Sequence, residues 1–298
     1  VESLGRLMFY SQVMRFLISR NFEVDGVKYL NPILEMPIKR KRADFALVDS
    51  DLNLRLLLEF KESSTETPAL DQVIEYSAIA QPSFYGIFAI IHPDRSSIVR
   101  ILLFKNEFDC ECLKYINPAI PLDVRPFNSP NDLQNVIKEI FKIIAEGTKG
   151  KANVGAYDNE VFYQYELARV LMDYGLEVYT EYEVRDYTAR GEKIVGKIDI
   201  LLKVKNHYIP IEVKKREFKE RDWNQLFNYM LVLANEKKLD VPYVVAVSPK
   251  GNNIELKVVG NDDKFKVEVP FTRAGNVKYL TRSSSLDEFV SKIRRGAK

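Results

Sequence analysis

The sequence predicts an α/β protein assembled as two copies of one helix-and-strand unit, and three observations predict it. An apolar run ends in a Glu-x-Lys triplet at "RLLLEFKES" (Arg55 to Ser63) and again at "YIPIEVKKR" (Tyr208 to Arg216), the second glutamate 153 residues after the first. Upstream of each triplet an amphipathic segment leads into a strand, and downstream come a glutamine and a tyrosine one helical turn apart. The 298 residues, at roughly 150 per domain, leave room for two separate cores.

Taken in order, the first unit opens with "RLMFYSQVMRFLISRNFEV" (Arg6 to Val24), which aligns without a gap on "EVFYQYELARVLMDYGLEV" (Glu160 to Val178) as a helix running into a strand. From that valine an aspartate follows after 20 residues (Asp44) or 21 (Asp199), then a glutamate after 15 (Glu59) or 13 (Glu212), then a lysine two further on (Lys61, Lys214). Glutamine comes 11 residues past each lysine (Gln72, Gln225), and tyrosine four past that (Tyr76, Tyr229). The strands "FYGIFAIIHP" and "VPYVVAVSP" correspond next. Leu133, Val136, Ile137 and Ile140 match the spacing of Leu286, Phe289, Val290 and Ile293, the buried stripe of a closing helix; Ser285 and Glu288 form a capping box for the second of these. The order predicts domains at 1–148 and 149–298, joined around "AEGTKGKANVG" (Ala145 to Gly155). That joint lacks the first glycine and the hydroxyl of a phosphate loop.

Composition narrows the function classes. No apolar run approaches the roughly 18 residues of a membrane helix, so no membrane partner and a cytoplasmic location are expected. Cys110 and Cys112, two apart on a strand, are read as reduced thiols. With His92 and His207 far apart in sequence, a zinc or histidine-based centre is improbable, and any metal should be held by oxygen. The net charge is +2, with 18 basic and 20 acidic residues in the first 150 and 26 and 22 in the rest. Basic residues cluster locally: Lys39, Arg40, Lys41 and Arg42 run directly into Asp44, and Lys215, Arg216, Lys219 and Arg221 follow Lys214.

A lone Glu-x-Lys is most often a surface ion pair of little energetic weight, and Glu217–Lys219, Glu236–Lys238 and Glu255–Lys257 are further copies. Only Glu59 and Glu212 combine an apolar strand, an aspartate inside an upstream apolar segment ("RADFALV", "GKIDILL") and a Gln/Tyr helix. Residues i and i+2 of a strand share a face, so Glu59 with Lys61, and Glu212 with Lys214, project together beside the strand bearing Asp44 or Asp199. Two carboxylates and one ammonium suit Mg²⁺, with Mn²⁺ able to substitute, because this cation takes few carboxylates plus waters and phosphate oxygens. The lysine would orient or help deprotonate a water. Phe60 and Val213 turn into the core, leaving their backbone carbonyls as further ligands. Trp223 is assigned to helix packing.

On these residues the chain resembles the PD-(D/E)xK nuclease superfamily, and "QVIEY" and "QLFNY" resemble the Q-x-x-x-Y signature of its RecB-like branch. The resemblance covers both halves. It implies two restriction-endonuclease-like domains, each a mixed central β-sheet flanked by helices, and Mg²⁺-dependent hydrolysis leaving 5′-phosphate and 3′-hydroxyl ends. It casts Asp44, Glu59 and Lys61, and Asp199, Glu212 and Lys214, as the catalytic trios, with Gln72, Tyr76, Gln225 and Tyr229 bracing them. Relatives often add a helix glutamate near the metal. Glu160 and Glu166 are available in the second half, whereas Arg6 and Gln12 stand at those positions in the first.

The expected activity is that of a single-chain pseudo-dimeric DNA endonuclease of repair, recombination or defence, acting on duplex or branched DNA. The basic clusters would hold phosphates, and a protein partner would supply specificity, since no reader module such as a helix-turn-helix is present. The alternative is a nucleic-acid-binding scaffold, or a subunit of a larger complex, in which one or both sites no longer cut.

Overall fold

A computed structural model describes residues 5–38, 40–60, 72, 75–76, 134–135, 137–138, 140–142, 159–186, 189–235 and 238–296 in full, and 2–4, 61–62, 84–90, 99–109, 112–115, 120–124, 150–151 and 187–188 by backbone alone. Lys39, His92, Cys110, Leu133, Val136, Glu236, most of the expected linker and the side chain of Lys61 lie outside the described residues. The chain divides into two compact units, one comprising Val1–Tyr157 with Ala274–Val277 and the other Asp158–Arg273 with Lys278–Lys298.

In the first unit α1 (Glu2–Ser19) leads through a short hairpin, β1 (Glu23–Val24) and β2 (Val27–Lys28), into a sheet. Its strands are β3 (Asn31–Ile38), β4 (Lys41–Val48), β5 (Asn53–Glu62), β6 (Phe84–Ile90), β7 (Val99–Asp109), β8 (Cys112–Tyr115), β9 (Ile120–Val124) and β10 (Gly150–Lys151). They pair in the order β3-β4-β5-β6-β7-β8, with β9 on β7 and β10 on β5. Among the described residues only β5 and β6 run parallel. Helix α1 buries Leu7, Phe9, Tyr10, Val13, Met14 and Leu17. Phe9 meets Phe45 of β4 and Phe60 of β5 edge to face, with centroids 5.2 and 5.5 Å away, a geometry that adds about 1 kcal/mol per pair to the burial itself. Phe60 thereby fixes the strand end that carries Glu59.

The second unit opens with α2 (Glu160–Asp173), whose cap Asn159 accepts the Phe162 N–H at 2.9 Å. Its sheet runs in sequence order through β11 (Glu177–Thr188), β12 (Gly191–Val204), β13 (His207–Val213), β14 (Tyr243–Lys250), β15 (Asn253–Gly260) and β16 (Lys264–Pro270). Again one neighbouring pair is parallel, β13 with β14, and α3 (Glu220–Asn235) makes the crossover. Parallel neighbours require such a crossover, because a tight turn reverses the chain. Tyr229 and Leu233 of α3 pack on Val184, Ile198 and Leu201, while Trp223 and Phe227 surround the cluster of Leu226, Val244 and Ala246.

The closing helix α4 (Ser284–Gly296) buries the expected stripe of Leu286, Phe289, Val290 and Ile293, each contributing about 1.5–3 kcal/mol. In the first unit Ile137 and Ile140 are likewise buried. The cap differs from the expected Ser285–Glu288 box. The helix begins at Ser284, so Ser283 is the residue whose Oγ accepts the Leu286 N–H, at 3.3 Å.

Candidate active site

Both acid pairs sit where a ladder stops. The β12–β13 pairing ends at Ile200 with Ile211, and the next opposed residues are Asp199 and Glu212. There the strands part, and the Asp199 carboxylate replaces a main-chain acceptor: its Oδ2 takes the Val213 N–H at 2.7 Å. The β4–β5 pairing ends in the same way at Phe45 with Leu58. Asp44 Oδ2 takes the Phe60 N–H at 3.0 Å, and Glu59 Oε2 takes the Asp44 N–H at 3.2 Å. A second shared feature lies on the neighbouring strand. Opposite each aspartate the pairing skips one residue, Glu35 in β3 and Glu181 in β11, and both are left-handed, at φ 50° and 51°. A non-glycine residue there costs about 1–2 kcal/mol, a strain that clusters at functional sites.

In the second unit Glu212 is 2 % exposed. Its Oε1 accepts the Lys214 ammonium at 2.8 Å, while its Oε2 is buried with no hydrogen-bond partner. The Asp199 backbone N–H pulls on this carboxylate without closing a bond to that oxygen. Burial and then the charge of Glu212 push the Asp199 carboxyl up to about 7, against the Val213 N–H and Lys214, which lower it. Glu212 is raised too, chiefly by burial, with Lys214 opposing. Burial lowers the Lys214 pKa, yet Glu212, Asp199 and Glu160 together outweigh that and raise it, so the ammonium stays charged. Glu160 lies close enough for its charge to act on all three groups, and its Oε2 accepts the Lys215 N–H at 3.1 Å.

These residues fit a hard divalent cation. The buried Glu212 and the half-buried Asp199 carboxylates repel each other, one lysine compensates only part of their charge, and one buried oxygen of Glu212 has no hydrogen bond. Among the described residues no group of three or more His, Cys, Asp or Glu is gathered as a ready metal cage. Mg²⁺ requires no such cage, since it takes one or two carboxylates together with waters and substrate oxygens.

The first site is compensated differently. Arg6, aligned with Glu160, brings Nη2 to 3.4 Å from Asp44 Oδ1, the side chains being 10 % and 16 % exposed. Arg6 also lies 6.0 Å from the Phe60 ring centre.

The Gln/Tyr pairs meet in both units: the Gln72 amide donates to the Tyr76 hydroxyl, and that of Gln225 to Tyr229 at 2.5 Å. Tyr76 in turn donates to the Arg42 carbonyl at 2.9 Å. Burial raises the pKa of both tyrosines, opposed by the glutamines, and the nearby Glu59 or Glu212 raises it further. Gln225 is exposed. The Tyr229 ring crosses β12 at Gly196, where a Cβ would come within 2.9 Å of its Cε1.

Gln164 was not singled out by sequence, although it lies one turn from Glu160. Its amide donates to the Asp199 carbonyl at 2.8 Å and holds that strand end. Glu166, considered above as a metal ligand, belongs instead to a buried clamp: it binds Arg169 through both oxygens, at 2.9 and 2.8 Å, and accepts the Leu280 N–H at 2.8 Å.

The basic residues divide by occupation. Arg216 is committed to Asp222 at 2.6 and 3.0 Å, which holds that buried carboxyl well below the usual range. Asp222 also accepts the Lys219 N–H at 2.8 Å, bracing the start of α3. Lys215, Lys219 and Arg221 are exposed, Arg221 with its Nε 3.8 Å from Asp222 Oδ1. In the first unit Lys41 pairs with Glu75 and Arg42 with Glu35, all at the surface or half-buried, and Arg40 is exposed. The Glu-x-Lys copy at Glu255 is an ion pair with Lys257 at 3.3 Å, joined by Lys250.

No family model matches the chain, and no curated protein matches it. Among solved structures, the type IIG restriction endonuclease BpuSI is similar at 18% sequence identity and a TM-score of 0.37, over 59% of this chain and 22% of that one.

Proposed function

We propose that the chain is a Mg²⁺-dependent DNA nuclease of the PD-(D/E)xK type with RecB-like features, its working centre at Asp199, Glu212 and Lys214. One observation carries this reading: a buried carboxylate, Glu212, and a half-buried one, Asp199, meet at the end of the β12–β13 ladder beside one lysine, with one oxygen of Glu212 left without a hydrogen bond. A surface ion pair has neither the burial nor the surplus of negative charge. The repeated ladder end, the left-handed glutamate opposite each aspartate and the Gln/Tyr pairs favour descent of the two units from one duplicated ancestor.

Asp199, Glu212 and the Val213 carbonyl would hold the cation, Mn²⁺ serving in place of Mg²⁺. Bound there, it supplies Lewis-acid polarisation of a phosphoryl group and compensates the carboxylates. Lys214, charged and fixed by Glu212, orients the attacking water. Tyr229 and Gln225 brace β12 from the helix side, and Gln164 from α2. Water adds to phosphorus, the bond to the 3′ oxygen breaks, and the products carry 5′-phosphate and 3′-hydroxyl. Lys215, Lys219 and Arg221, exposed beside this centre, take DNA phosphates. The substrate is duplex or branched DNA in repair, recombination or defence in the cytoplasm, with a protein partner adding specificity.

The test is cleavage of supercoiled plasmid. Wild-type protein should cut with Mg²⁺ or Mn²⁺ and stop in EDTA, and Glu212→Gln should lose roughly 100-fold or more in rate. Cleavage that persists in excess chelator, or in Glu212→Gln, would refute the assignment.

A further inference from the structure

The two acid pairs are built alike but charged differently. Resting on the reading that Asp199 and Glu212 hold a divalent cation, we infer that Arg6 stands in the cation's place in the first unit, so that the chain carries one metal centre rather than two.

Asp44 and Glu59 reproduce the ladder end of Asp199 and Glu212, yet their oxygens are engaged by the chain itself. The Phe60 N–H donates to Asp44 Oδ2 at 3.0 Å, the Asp44 N–H donates to Glu59 Oε2 at 3.2 Å, and the Arg6 guanidinium faces Asp44 Oδ1 at 3.4 Å. In the second unit the corresponding Asp199 N–H acts on Glu212 without closing a hydrogen bond to its buried Oε2. The position aligned with Arg6 is Glu160, so the four corresponding residues are two carboxylates with a lysine and an arginine in one unit, and three carboxylates with one lysine in the other. Their formal charge is 0 in the first and −2 in the second. A guanidinium does not give up its proton. Held at 10 % exposure beside Phe60, which is itself pinned by Phe9 and Phe45, it cannot withdraw without leaving the charge of Asp44 uncompensated, a costly state for a largely buried group. The first site therefore does not fit Mg²⁺. It is a self-neutralised copy, and hydrolysis belongs to the second unit alone.

Counting Mn²⁺ bound per full chain, by the electron paramagnetic resonance signal of the free ion, tests this without any reading of activity. Wild-type protein should bind one, Glu212→Gln none, Glu59→Gln one, and Arg6→Glu a second. Two ions in wild type, with one lost in Glu59→Gln, would overturn the inference and leave the second centre standing. Zero bound Mn²⁺ sinks the reading of the second unit, and thermal melts then decide on Arg6. In metal-free protein Arg6→Gln should lower Tm by several degrees, and most of that loss should disappear in an Asp44→Asn background. Equal losses in both backgrounds would overturn the role assigned to Arg6.

Discussion

Replacing Asp199 by asparagine should make the metal-free protein more stable. Burial and the charge of Glu212 lift the Asp199 carboxyl from 3.8 to about 7. At about 1.4 kcal/mol for each pH unit, that lift corresponds to about 4 kcal/mol of opposition to its charged form. The opposition is shared with Glu212, so one neutralisation should return about 2 kcal/mol. Asparagine keeps an acceptor for the Val213 N–H, and the exchange removes the charge with little change of shape. A group raised on folding contributes stability that is full below its unfolded pKa and lost as pH rises through its folded one. Wild-type protein should therefore lose stability between about pH 4 and pH 7, while Asp199→Asn escapes this loss. The gap between them should be about 2 kcal/mol at pH 8 and close toward pH 4. Urea unfolding followed by fluorescence of Trp223, the single tryptophan, reads the second unit specifically, since this residue packs around its core cluster. Mg²⁺ at pH 8 should stabilise wild type and not the variant. No gain at pH 8, or a gain independent of pH, would refute the reasoning.

Two other expectations concern DNA and the strand that carries the aspartate. Neutralising Lys215, Lys219 and Arg221 should weaken binding to all sequences and flatten the log–log salt dependence by about one unit per lost phosphate contact; an unchanged slope puts these residues on a solvated face. Gly196→Ala should destabilise by about 1–3 kcal/mol and slow cleavage, because its Cβ would come within 2.9 Å of Tyr229 Cε1. Tyr229→Phe, which removes the hydroxyl nearest that Cβ, should recover part of the stability; a neutral Gly196→Ala in urea melts would mean that β12 yields.

The acid pairs were legible because strand periodicity is two and the spacing from aspartate to glutamate is set by one hairpin. The Gln/Tyr helix was legible for a similar reason: positions four apart share a helix face. Glu166 misled because six residues from Glu160 is about a third of a turn away from the same face, where Arg169 and Leu280 wait instead. Arg6 could be aligned with Glu160 from sequence, but its ion pair with Asp44 depends on how α1 lies against β4. The left-handed Glu35 and Glu181 carried no signal, since neither is glycine or asparagine and their φ angles follow from the pairing they interrupt. Arg216 reads as one more basic residue until α3 brings Asp222 against it.

The spacing between the acids differs, 15 residues in the first unit and 13 in the second, yet both pairs stand directly opposed. The surplus is absorbed at the far end of the hairpin. In the first unit, Asp49 gathers the N–H groups of Asp51 and Asn53 and the ladder slips once after Leu47. In the second, two residues turn the chain, with Lys205 at φ 55°. The hairpin thus behaves as a ruler read from its open end. Length can be added between Val204 and His207 without moving the acids, whereas a single residue inserted between Asp199 and Ile200 would turn one carboxylate to the opposite face of the sheet. A reporter peptide grafted at the turn is a practical way to label this protein while leaving its acid pair in register.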